Sequence, residues 1–303
     1  MKLGVVGGAG LLGSTSAYLA GLKGYLDEIK IVDVKENLAK NHAMDMDQAV
    51  YSLGKTKVTY ANYEDLKDCG VILFTASMPE RQVADRMEYL RDNMNVVLPI
   101  CKKLKKVCNE AVIINATNPV DIFNYLMWEI LGWDRKKILG FNGNDTYRLK
   151  WAVSKITGIP FGEIDGLCIG EHGPGHINLY DKMTASGKPM NLTDAQIDEV
   201  ENITKNYFAE FQALNSGRTS GWTSAINIEE LIEAVATDSG KILECSSVLQ
   251  GECGLSDVSV GVPISVGSQG IISYEMPTLT SEQTSKFIEV CNRLKDTISQ
   301  LDY

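Results

Sequence analysis

Four short polar segments carry the side chains that are best suited to chemistry. They cover residues 79–93, 117–121, 144–148 and 170–173. In the third segment, Asp145 and Arg148 are three positions apart, so a helix would turn both side chains toward the same side. In the fourth segment, His172 lies in a Gly-Glu-His-Gly turn and is one of only three histidines in the chain. An imidazole titrates near neutral pH and a guanidinium binds carboxylates, so these residue types suit proton transfer on a small anion.

The elements that would position these segments are clearest in the first 140 residues. Candidate strands cover residues 3–6, 29–33, 71–75, 112–116 and 138–140, and candidate helices cover residues 12–21, 86–104 and 121–131. The strands are β-branched and almost continuously apolar, as are parallel strands that helices cover on both faces. We therefore predict an α/β fold with a doubly wound parallel sheet of the Rossmann type, forming an N-terminal domain over residues 1–140. Asn118 would follow a buried strand at the carboxyl edge, where open sheets bind ligands.

The pattern changes after residue 140, and we predict a second, α+β domain over residues 141–303. Candidate helices cover residues 145–156, 195–215 and 227–237, and candidate strands cover residues 167–169, 256–267 and 271–274. Two polar strands within residues 180–191 flank the turn Ser186-Gly187 and predict a hairpin. The chain ends in an amphipathic helix, for which Thr280 and Gln283 could form a capping box.

A glycine-rich segment connects the first predicted strand to the first predicted helix. Gly8, Gly10 and Gly13 satisfy the spacing G-x-G-x-x-G, whereas Gly7, Gly10 and Gly13 satisfy the variant G-x-x-G-x-x-G. Either spacing permits a tight turn and brings a pyrophosphate close to the helix N-terminus. Asp33 follows 20 residues after Gly13, where a carboxylate can bond the ribose hydroxyls and repel a 2′-phosphate. The pattern favours NAD over NADP, with an ordinary turn residue as the alternative for Asp33.

The composition excludes several classes of function. The chain has 29 Lys and Arg against 39 Asp and Glu, for a net charge of −10, which argues against nucleic-acid and anionic-membrane surfaces. Its seven cysteines form no C-x-x-C pair, so we expect reduced thiols in a cytoplasmic protein and no metal site. We find no apolar run of 18 residues and no signal-peptide pattern, so we expect no membrane span and no secretion.

Taken in order, these segments resemble the L-lactate/malate dehydrogenase family over essentially the whole chain. The anchors of the resemblance are residues 7–13, Asp33, Asn118-Pro119-Val120-Asp121, Asp145-x-x-Arg148 and Gly170-Glu171-His172-Gly173. The resemblance implies an NAD-dependent enzyme that passes a hydride reversibly between NADH and a 2-oxo acid. It implies that the second domain is catalytic and that the protein is a homodimer or homotetramer. The implied cofactor site comprises Gly7, Gly8, Gly10, Leu11, Leu12, Gly13, Asp33, Thr75, Ala76, Asn93 and Asn118.

The resemblance also implies roles for five polar side chains. His172 would be the acid–base group, because imidazole titrates near working pH. Asp145 would bond the other ring nitrogen and stabilise the imidazolium. Arg148 would grip the substrate carboxylate through two parallel hydrogen bonds. Arg86 would close over the site and polarise the substrate carbonyl, and Asn118 would hydrogen-bond the substrate oxygen.

One segment departs from the family pattern. In such enzymes the residue that selects the substrate side chain lies six positions before the loop arginine, and it is Arg in malate enzymes and Gln or Asn in many lactate enzymes. Counting back from Arg86 leads to Glu80, whose carboxylate would repel the second carboxylate of oxaloacetate. Arg81 lies next to Glu80, and a slip of one residue would restore a malate-like site. We therefore predict a monocarboxylic substrate such as pyruvate, with malate chemistry as the alternative.

Two classes outside the dehydrogenases are also consistent with part of the sequence. NAD-dependent family 4 glycosidases are similar in the nucleotide half and use a Cys and His pair on a metal. Cys168 lies four positions before His172, but such a hydrolase would not explain Asp145 and Arg148. A Rossmann-type sensor without turnover would require all five polar side chains to be vestigial.

Overall fold

The computed structural model describes residues 1–78, 86–108, 111–216 and 220–303, except for the side chains of Arg86, Phe208 and Gln212. The strands are β1 Lys2–Val6, β2 Glu28–Val32, β3 Lys57–Tyr60, β4 Val71–Phe74, β5 Val112–Asn115, β6 Ile138–Phe141, β7 Ile164–Asp165, β8 Cys168–Gly170, β9 His176–Asn178, β10 Thr184–Ala185, β11 Lys188–Pro189, β12 Lys241–Gln250, β13 Ser256–Gly267 and β14 Gly270–Tyr274. The α-helices are α1 Leu11–Lys23, α2 Glu36–Tyr51, α3 Arg86–Val107, α4 Val120–Leu131, α5 Gly143–Thr157, α6 Asp194–Ala213, α7 Trp222–Thr237 and α8 Ser281–Ser299.

The first six strands form the nucleotide half of a large sheet in the order β3-β2-β1-β4-β5-β6. All of their pairings are parallel. This order of parallel strands defines the doubly wound Rossmann sheet, so the predicted fold class is confirmed. Strands β4, β5 and β6 are buried along their whole length, as their continuous apolar sequences require.

The register of the parallel strands brings their carboxyl ends to one edge. Val6 pairs with Phe74, and Phe74 pairs with Asn115, so β1, β4 and β5 end side by side. The chain therefore leaves the sheet at this edge three times, in residues 7–13, in residues 75–78 and in residues 116–119. Each of these exits carries side chains of the predicted cofactor site.

The sheet continues into the second half of the chain. Strand β12 is antiparallel to β6, with Ser246 opposite Gly140, and the order continues as β12-β13-β8-β9. A Cβ on Gly140 would lie 2.6 Å from the Cβ of Ser246, so a glycine is required where these strands meet. The boundary that we place after residue 140 falls within β6, and the main apolar core extends across it. The division into two domains therefore stays a prediction.

A smaller apolar cluster holds the helix that carries Asp145 and Arg148. Residues of α5, β7, β8 and α6 form it, together with Met183 after the 3₁₀ turn over Tyr180–Lys182, and they are Leu149, Ala152, Val153, Ile164, Cys168, Met183 and Val200. The predicted C-terminal helix is present as α8, and both hydrogen bonds of the capping box between Thr280 and Gln283 are formed. The predicted hairpin is present as the short pair β10 and β11, preceded by a 3₁₀ turn over Tyr180–Lys182.

Four strands lie outside the sequence prediction, and they are β3, β7, β9 and β12. Strand β3 occupies one edge of the sheet, and β12 is a central strand of ten residues. The sequence of β12, Lys-Ile-Leu-Glu-Cys-Ser-Ser-Val-Leu-Gln, lacks both alternation and a long apolar run. Its buried polar residues, Glu244, Ser246 and Ser247, are hydrogen-bonded inside the protein, which the sequence pattern does not reveal.

Candidate active site

The glycine-rich turn between β1 and α1 has no space for a side chain at Gly7, Gly8 or Gly13. A Cβ on Gly7 would lie 2.7 Å from the backbone nitrogen of Ala76, and a Cβ on Gly13 would lie 2.7 Å from the carbonyl oxygen of Gly7. A Cβ on Gly8 would lie 2.7 Å from Ile31. Gly7 and Gly8, the residues that distinguish the two predicted spacings, are therefore both positions where a side chain would clash. No side chain caps the N-terminus of α1, and its first turn contains no acidic residue. The turn therefore offers backbone N–H groups and a positive dipole to a pyrophosphate.

Asp33 lies directly after β2 and faces this turn. Its Oδ2 accepts a hydrogen bond from the backbone N–H of Ala9 at 3.0 Å, and its Oδ1 accepts one from the N–H of Lys35 at 2.8 Å. The hydrogen bond with Lys35 is one that an ordinary turn residue would make. The hydrogen bond with Ala9 places the carboxylate at the glycine turn. The geometry is compatible with the predicted contact to a ribose. With the cradle of glycines beside it, the chain's own residues fit a dinucleotide without a 2′-phosphate.

Other residues of the predicted cofactor site support the turn. Thr75 donates a hydrogen bond to the carbonyl oxygen of Val6 at 3.0 Å, which fastens the exit of β4 to the exit of β1. Leu11 packs against Gly221 at the start of α7, and Leu12 packs against the main core. The side chain of Asn93 is buried, where it accepts from the N–H of Met78 and donates to the carbonyl oxygen of Asn118.

The catalytic pair predicted from the sequence is in hydrogen-bond contact. The Nδ1 atom of His172 lies 2.9 Å from Oδ2 of Asp145, although the two residues come from different elements. Asp145 lies in the first turn of α5 and its side chain is 2% exposed, whereas that of His172 is 16% exposed. Asp145 also accepts a hydrogen bond from the backbone N–H of Gly173 at 3.1 Å, which holds the turn after β8. The imidazole therefore has one nitrogen fixed and presents Nε2 as its remaining polar atom.

Arg148 lies on the same side of α5 as Asp145. Its Nη1 donates to Oδ1 of Asp145 at 3.2 Å, and its guanidinium lies over the ring of Tyr207 at 4.9 Å from the centroid. The spacing of three positions in a helix explains the contact with Asp145. The ring of Tyr207, on α6, makes a cation–π contact with the guanidinium. The guanidinium has further N–H donors that could bind a carboxylate.

The charges of this cluster shift the titration of its members. Burial alone would lower the pKa of His172, but the carboxylates of Asp145 and Asp121 together outweigh burial, and the pKa is raised. Burial alone would raise the pKa of Asp145, but His172, His176 and Arg148 together outweigh burial, and the pKa is held below its usual value. The arrangement therefore favours an imidazolium beside a carboxylate, which is the charged form of an acid–base pair.

Asn118 is exposed at the exit of β5, and its peptide bond to Pro119 is cis. Helix α3 begins at Arg86, but the side chain of Arg86 lies outside the described residues. Glu80 and Arg81 also lie outside the described residues. Their predicted roles stay predictions.

Several residues that tie the site together escaped the sequence prediction. Asp121 of α4 accepts a hydrogen bond from the backbone N–H of His172 at 2.8 Å, and Ser246 of β12 donates to the same carboxylate. Thr117 bonds the carbonyl oxygen of Ala76 at 2.9 Å. In the sequence, Asp121 is distinguished only by its place in the motif Asn-Pro-Val-Asp. That motif indicates the family and the start of a helix, but not a contact with His172.

The structure also bears on the metal-dependent alternative. Cys168 is buried and its thiol contacts Oδ1 of Asn178 at 2.9 Å. Burial raises the pKa of this thiol well above its usual value, which disfavours the thiolate that a metal requires. Within the described residues, no cluster of three or more His, Cys, Asp or Glu side chains has the arrangement of a metal site. Among the helices of the same residues, none is long and apolar enough to cross a membrane.

Comparisons with known proteins agree with this fold. Residues 1–140 match the family model described as lactate/malate dehydrogenase, NAD binding domain. A malate dehydrogenase of Pyrobaculum aerophilum is 30% identical over 299 residues, which covers 97% of this chain and 96% of the relative. An L-lactate dehydrogenase of Mycoplasma mobile is 28% identical over 307 residues, which covers 97% of this chain and 94% of the relative. The solved malate dehydrogenase of Aeropyrum pernix superposes with a TM-score of 0.92 at 27% identity, covering 99% of this chain and 98% of that one.

The Rossmann sheet, its glycine turn and the matches to lactate and malate dehydrogenases define an NAD-dependent dehydrogenase. With these full-length matches, the chain belongs to the lactate/malate dehydrogenase family. Its cofactor is therefore NAD, as the residues of the glycine turn and Asp33 predict. Membership of this family overturns the glycosidase alternative.

Proposed function

We propose that the protein catalyses the reversible reduction of a monocarboxylic 2-oxo acid to the L-2-hydroxy acid. The observation that carries the proposal is the buried Asp145 carboxylate, which contacts both the imidazole of His172 and the guanidinium of Arg148. A proton donor and a carboxylate-binding group are thereby held on one side of α5. A 2-oxo acid has its carbonyl and carboxylate on adjacent carbons, so it matches a site in which these two groups lie close together.

The protonated His172 supplies the proton of the reduction. Because Nδ1 is engaged by Asp145, the proton at Nε2 is the one that faces a substrate. That proton moves to the carbonyl oxygen as it becomes the hydroxyl oxygen of the product, and His172 is left neutral. Asp145 stabilises the charged imidazolium beforehand and keeps the ring in one orientation throughout.

Binding and orientation fall to the guanidinium and to the cofactor cradle. Arg148 would bind the substrate carboxylate with the donors that Asp145 leaves unused. The glycine turn and Asp33 would hold the dinucleotide at the carboxyl edge of the sheet. When bound, NADH supplies the hydride. Asn118, at the same edge, would donate to the substrate oxygen and stabilise its developing charge.

The choice of a monocarboxylic substrate rests on Glu80. This residue lies six positions before Arg86, where the family carries its side-chain selector. Two carboxylates that approach each other in a site shielded from water repel strongly, so Glu80 would disfavour oxaloacetate. A neutral side chain such as that of pyruvate meets no such repulsion, and larger or cationic side chains are also compatible with a carboxylate.

Malate chemistry is the second candidate, and two observations favour it. Arg81 is adjacent to Glu80, and a guanidinium in the pocket would bind a second carboxylate. Relatives such as that of Pyrobaculum aerophilum are named malate dehydrogenase. The two candidate substrates thus differ in which of two adjacent residues, Glu80 or Arg81, contacts the substrate side chain.

The first experiment measures NADH oxidation by the purified protein with pyruvate, with longer 2-oxo monoacids and with oxaloacetate. We expect turnover of monoacids and little turnover of oxaloacetate. His172→Asn should reduce turnover by about a thousandfold or more, because the proton donor is lost. His42→Asn serves as the matched control, since His42 lies in α2 outside the site. No turnover of any 2-oxo acid, with NADH still bound, would contradict a dehydrogenase function and favour a sensor.

A pair of charge variants separates the two candidate substrates. Glu80→Gln should increase kcat/KM for oxaloacetate about tenfold or more if Glu80 selects against the second carboxylate. Arg81→Gln should then change the substrate preference little. If Arg81→Gln instead abolishes activity on oxaloacetate and Glu80→Gln has no effect, Arg81 is the selector and the malate proposal is correct.

We further propose a homo-oligomer in the cytoplasm. The cytoplasmic location rests on the seven cysteines, all of which are free thiols and six of which are buried.

A further inference from the structure

A second buried carboxylate lies behind the turn that carries His172. Asp121, in the first turn of α4, is 2% exposed, and its Oδ2 accepts a hydrogen bond from the backbone N–H of His172 at 2.8 Å. Its Oδ1 accepts from the hydroxyl of Ser246 on β12. The carboxylate thus links the nucleotide half of the sheet to the catalytic turn through one peptide group. It takes no part in the chemistry proposed above.

The hydrogen bonds behind Asp121 all run in one direction. Ser246 donates to Asp121, so in its contact with Ser259, at 2.9 Å between hydroxyl oxygens, Ser246 is the acceptor. Asn124 donates to the hydroxyl of Ser259 at 3.0 Å, and it also donates to the carbonyl oxygen of Ser246 at 3.1 Å. Because the carbonyl oxygen of Ser246 can only accept, the orientation of the Asn124 amide is settled. All four side chains are buried, and the donors point toward Asp121.

This directionality favours a negative charge on Asp121. A carboxylate that accepts from a backbone N–H and from an aligned chain of donors is stabilised in its ionised form. Burial acts in the opposite direction and is the larger effect, because it raises the pKa of Asp121 to about 7. Asp121 therefore changes its charge in the pH range in which an enzyme of this kind would work.

We propose that Asp121 is a positioning residue for His172, which holds the backbone of the catalytic turn and adds a second negative charge near the imidazole. The proposal rests on the assignment of His172 as the proton donor. Removal of the charge should make the imidazolium less stable, and removal of the acceptor should release the N–H of His172.

Other charged groups act on the same two residues and must be held constant in any test. They are Asp145 and Arg148 of α5, Glu171 of the catalytic turn with its ion-pair partner Arg293 of α8, Cys291 of α8 and Glu244 of β12. None of these groups needs to be altered, since Asp121 can be changed alone. The titrations of Asp121 and His172 overlap, so each influences the other.

The test compares the wild-type protein with Asp121→Asn by two readouts. Asparagine keeps an oxygen that can accept from His172, but it removes the charge. In ¹⁵N-labelled full-length protein without substrate, the His172 ring signals are assigned by comparison with His172→Asn. The midpoint of the His172 titration should fall by about half a pH unit to one unit, from the usual effect of a nearby charge. The wild-type curve should show a second inflection from Asp121, which the variant lacks.

Kinetics provides the second readout. We expect kcat for the 2-oxo acid to fall about tenfold in Asp121→Asn and KM for NADH to change less than about twofold, because the cofactor cradle is untouched. The alkaline limb of the reduction profile should move to lower pH by the same interval as the NMR midpoint. Glu129→Gln is the matched control, since it removes one charge from the exposed side of the same helix. That control should leave both readouts unchanged.

The outcomes decide between positioning and a purely structural role. An unchanged His172 midpoint in Asp121→Asn, accompanied only by a lower thermal midpoint, would overturn the proposal. If Asp121→Asn does not fold, Ser246→Ala removes one donor to the carboxylate and should shift the His172 midpoint downward by a smaller amount. An unshifted midpoint in that variant would also overturn it. If the wild type reduces no 2-oxo acid, the proposed function fails, while the NMR comparison still tests the link between Asp121 and His172.

Discussion

At the scale of single residues, one buried carboxylate contacts the groups that we propose as catalytic. Asp145 contacts the imidazole of His172, the guanidinium of Arg148 and the backbone N–H of Gly173. Each contact satisfies part of a charge that would otherwise be costly to bury. The charge of Asp145 has a measurable consequence for the pH dependence of the reaction.

The pH dependence of reduction should follow the raised pKa of His172. Reduction requires the imidazolium, so kcat should be high below that pKa and fall as the pH rises through it. Asp145→Asn removes the stabilising carboxylate, and the alkaline limb should move to lower pH with a drop in kcat of about a hundredfold or more. Initial rates of NADH oxidation across a pH series provide the measurement. A limb that stays in place in Asp145→Asn would mean that another group controls it.

Arg148→Lys tests the carboxylate clamp. A lysine keeps the charge but loses the fork of donors and the flat stacking on Tyr207, so KM for the 2-oxo acid should rise about tenfold to a hundredfold. The affinity for NADH, measured by fluorescence titration, should stay within about twofold, because Arg148 belongs to α5 and not to the cofactor cradle. Equal losses in the binding of NADH and substrate would contradict a role in binding the substrate carboxylate.

At the scale of elements, the site depends on close packing between the loops that follow β1, β4 and β5. The glycine turn after β1 contacts the exit of β4 through Thr75 and Ala76, and Asn93 of α3 joins the exits of β4 and β5. These contacts leave almost no room for an added side chain at the glycines of the turn. The sequence indicates the glycines by their spacing, but only the packed structure shows what each glycine avoids.

Gly13→Ala should weaken the cofactor site. The added Cβ would lie 2.7 Å from the carbonyl oxygen of Gly7 and 2.8 Å from Oγ1 of Thr75, so the turn has to open. We expect the dissociation constant for NADH to rise about tenfold or more and the thermal midpoint to fall by several degrees, roughly the effect of overpacking. Gly162→Ala is a suitable control, since a Cβ at Gly162 has no neighbour within 4 Å. Normal NADH affinity in Gly13→Ala would contradict a cradle at this turn.

Strand β12 illustrates why some elements were missed. Its residues Glu244, Ser246 and Ser247 are buried although they are polar, and their partners lie far away in sequence, such as Thr146 and Asp121. A pattern of apolar residues identifies strands whose side chains pack in a hydrophobic core. It does not identify a strand whose buried side chains are held by hydrogen bonds.

At the scale of the whole molecule, one sheet joins the nucleotide half to the half that carries His172. Pairing of β6 with β12 makes the sheet continuous, and Asp121 crosses the same junction to the catalytic turn. The cofactor cradle and the proposed catalytic pair are therefore joined by one continuous sheet. Such a sheet suits a reaction in which donor and acceptor must be aligned.

The surface of the molecule predicts self-association. Large apolar side chains are exposed on three helices that pack together, with exposed fractions of 38% for Tyr18 of α1, 67% for Met44 of α2 and 46% for Ile226 of α7. We expect a homodimer or homotetramer, measured by light scattering coupled to size exclusion. Ile226→Glu should lower the mass toward the monomer, whereas Ile272→Glu, on β14, should not. A monomeric wild type at micromolar concentration would contradict the prediction.

Local interactions explain the features that could be predicted from the amino-acid sequence. Glycine spacing, apolar periodicity and the Asp-x-x-Arg interval act within a few residues, so they predicted the parallel sheet, the cofactor turn and the candidates His172, Asp145 and Arg148. Local patterns do not show which distant groups meet, and the sequence predicts the contact of Asp145 with His172 only through the family resemblance. The contact of Asp145 with His172 follows from the packing of α5 against the turn after β8. The contacts of Asp121 with His172 and Ser246 could not be derived from the sequence, because partners of buried polar groups are selected by the fold and leave no periodic pattern.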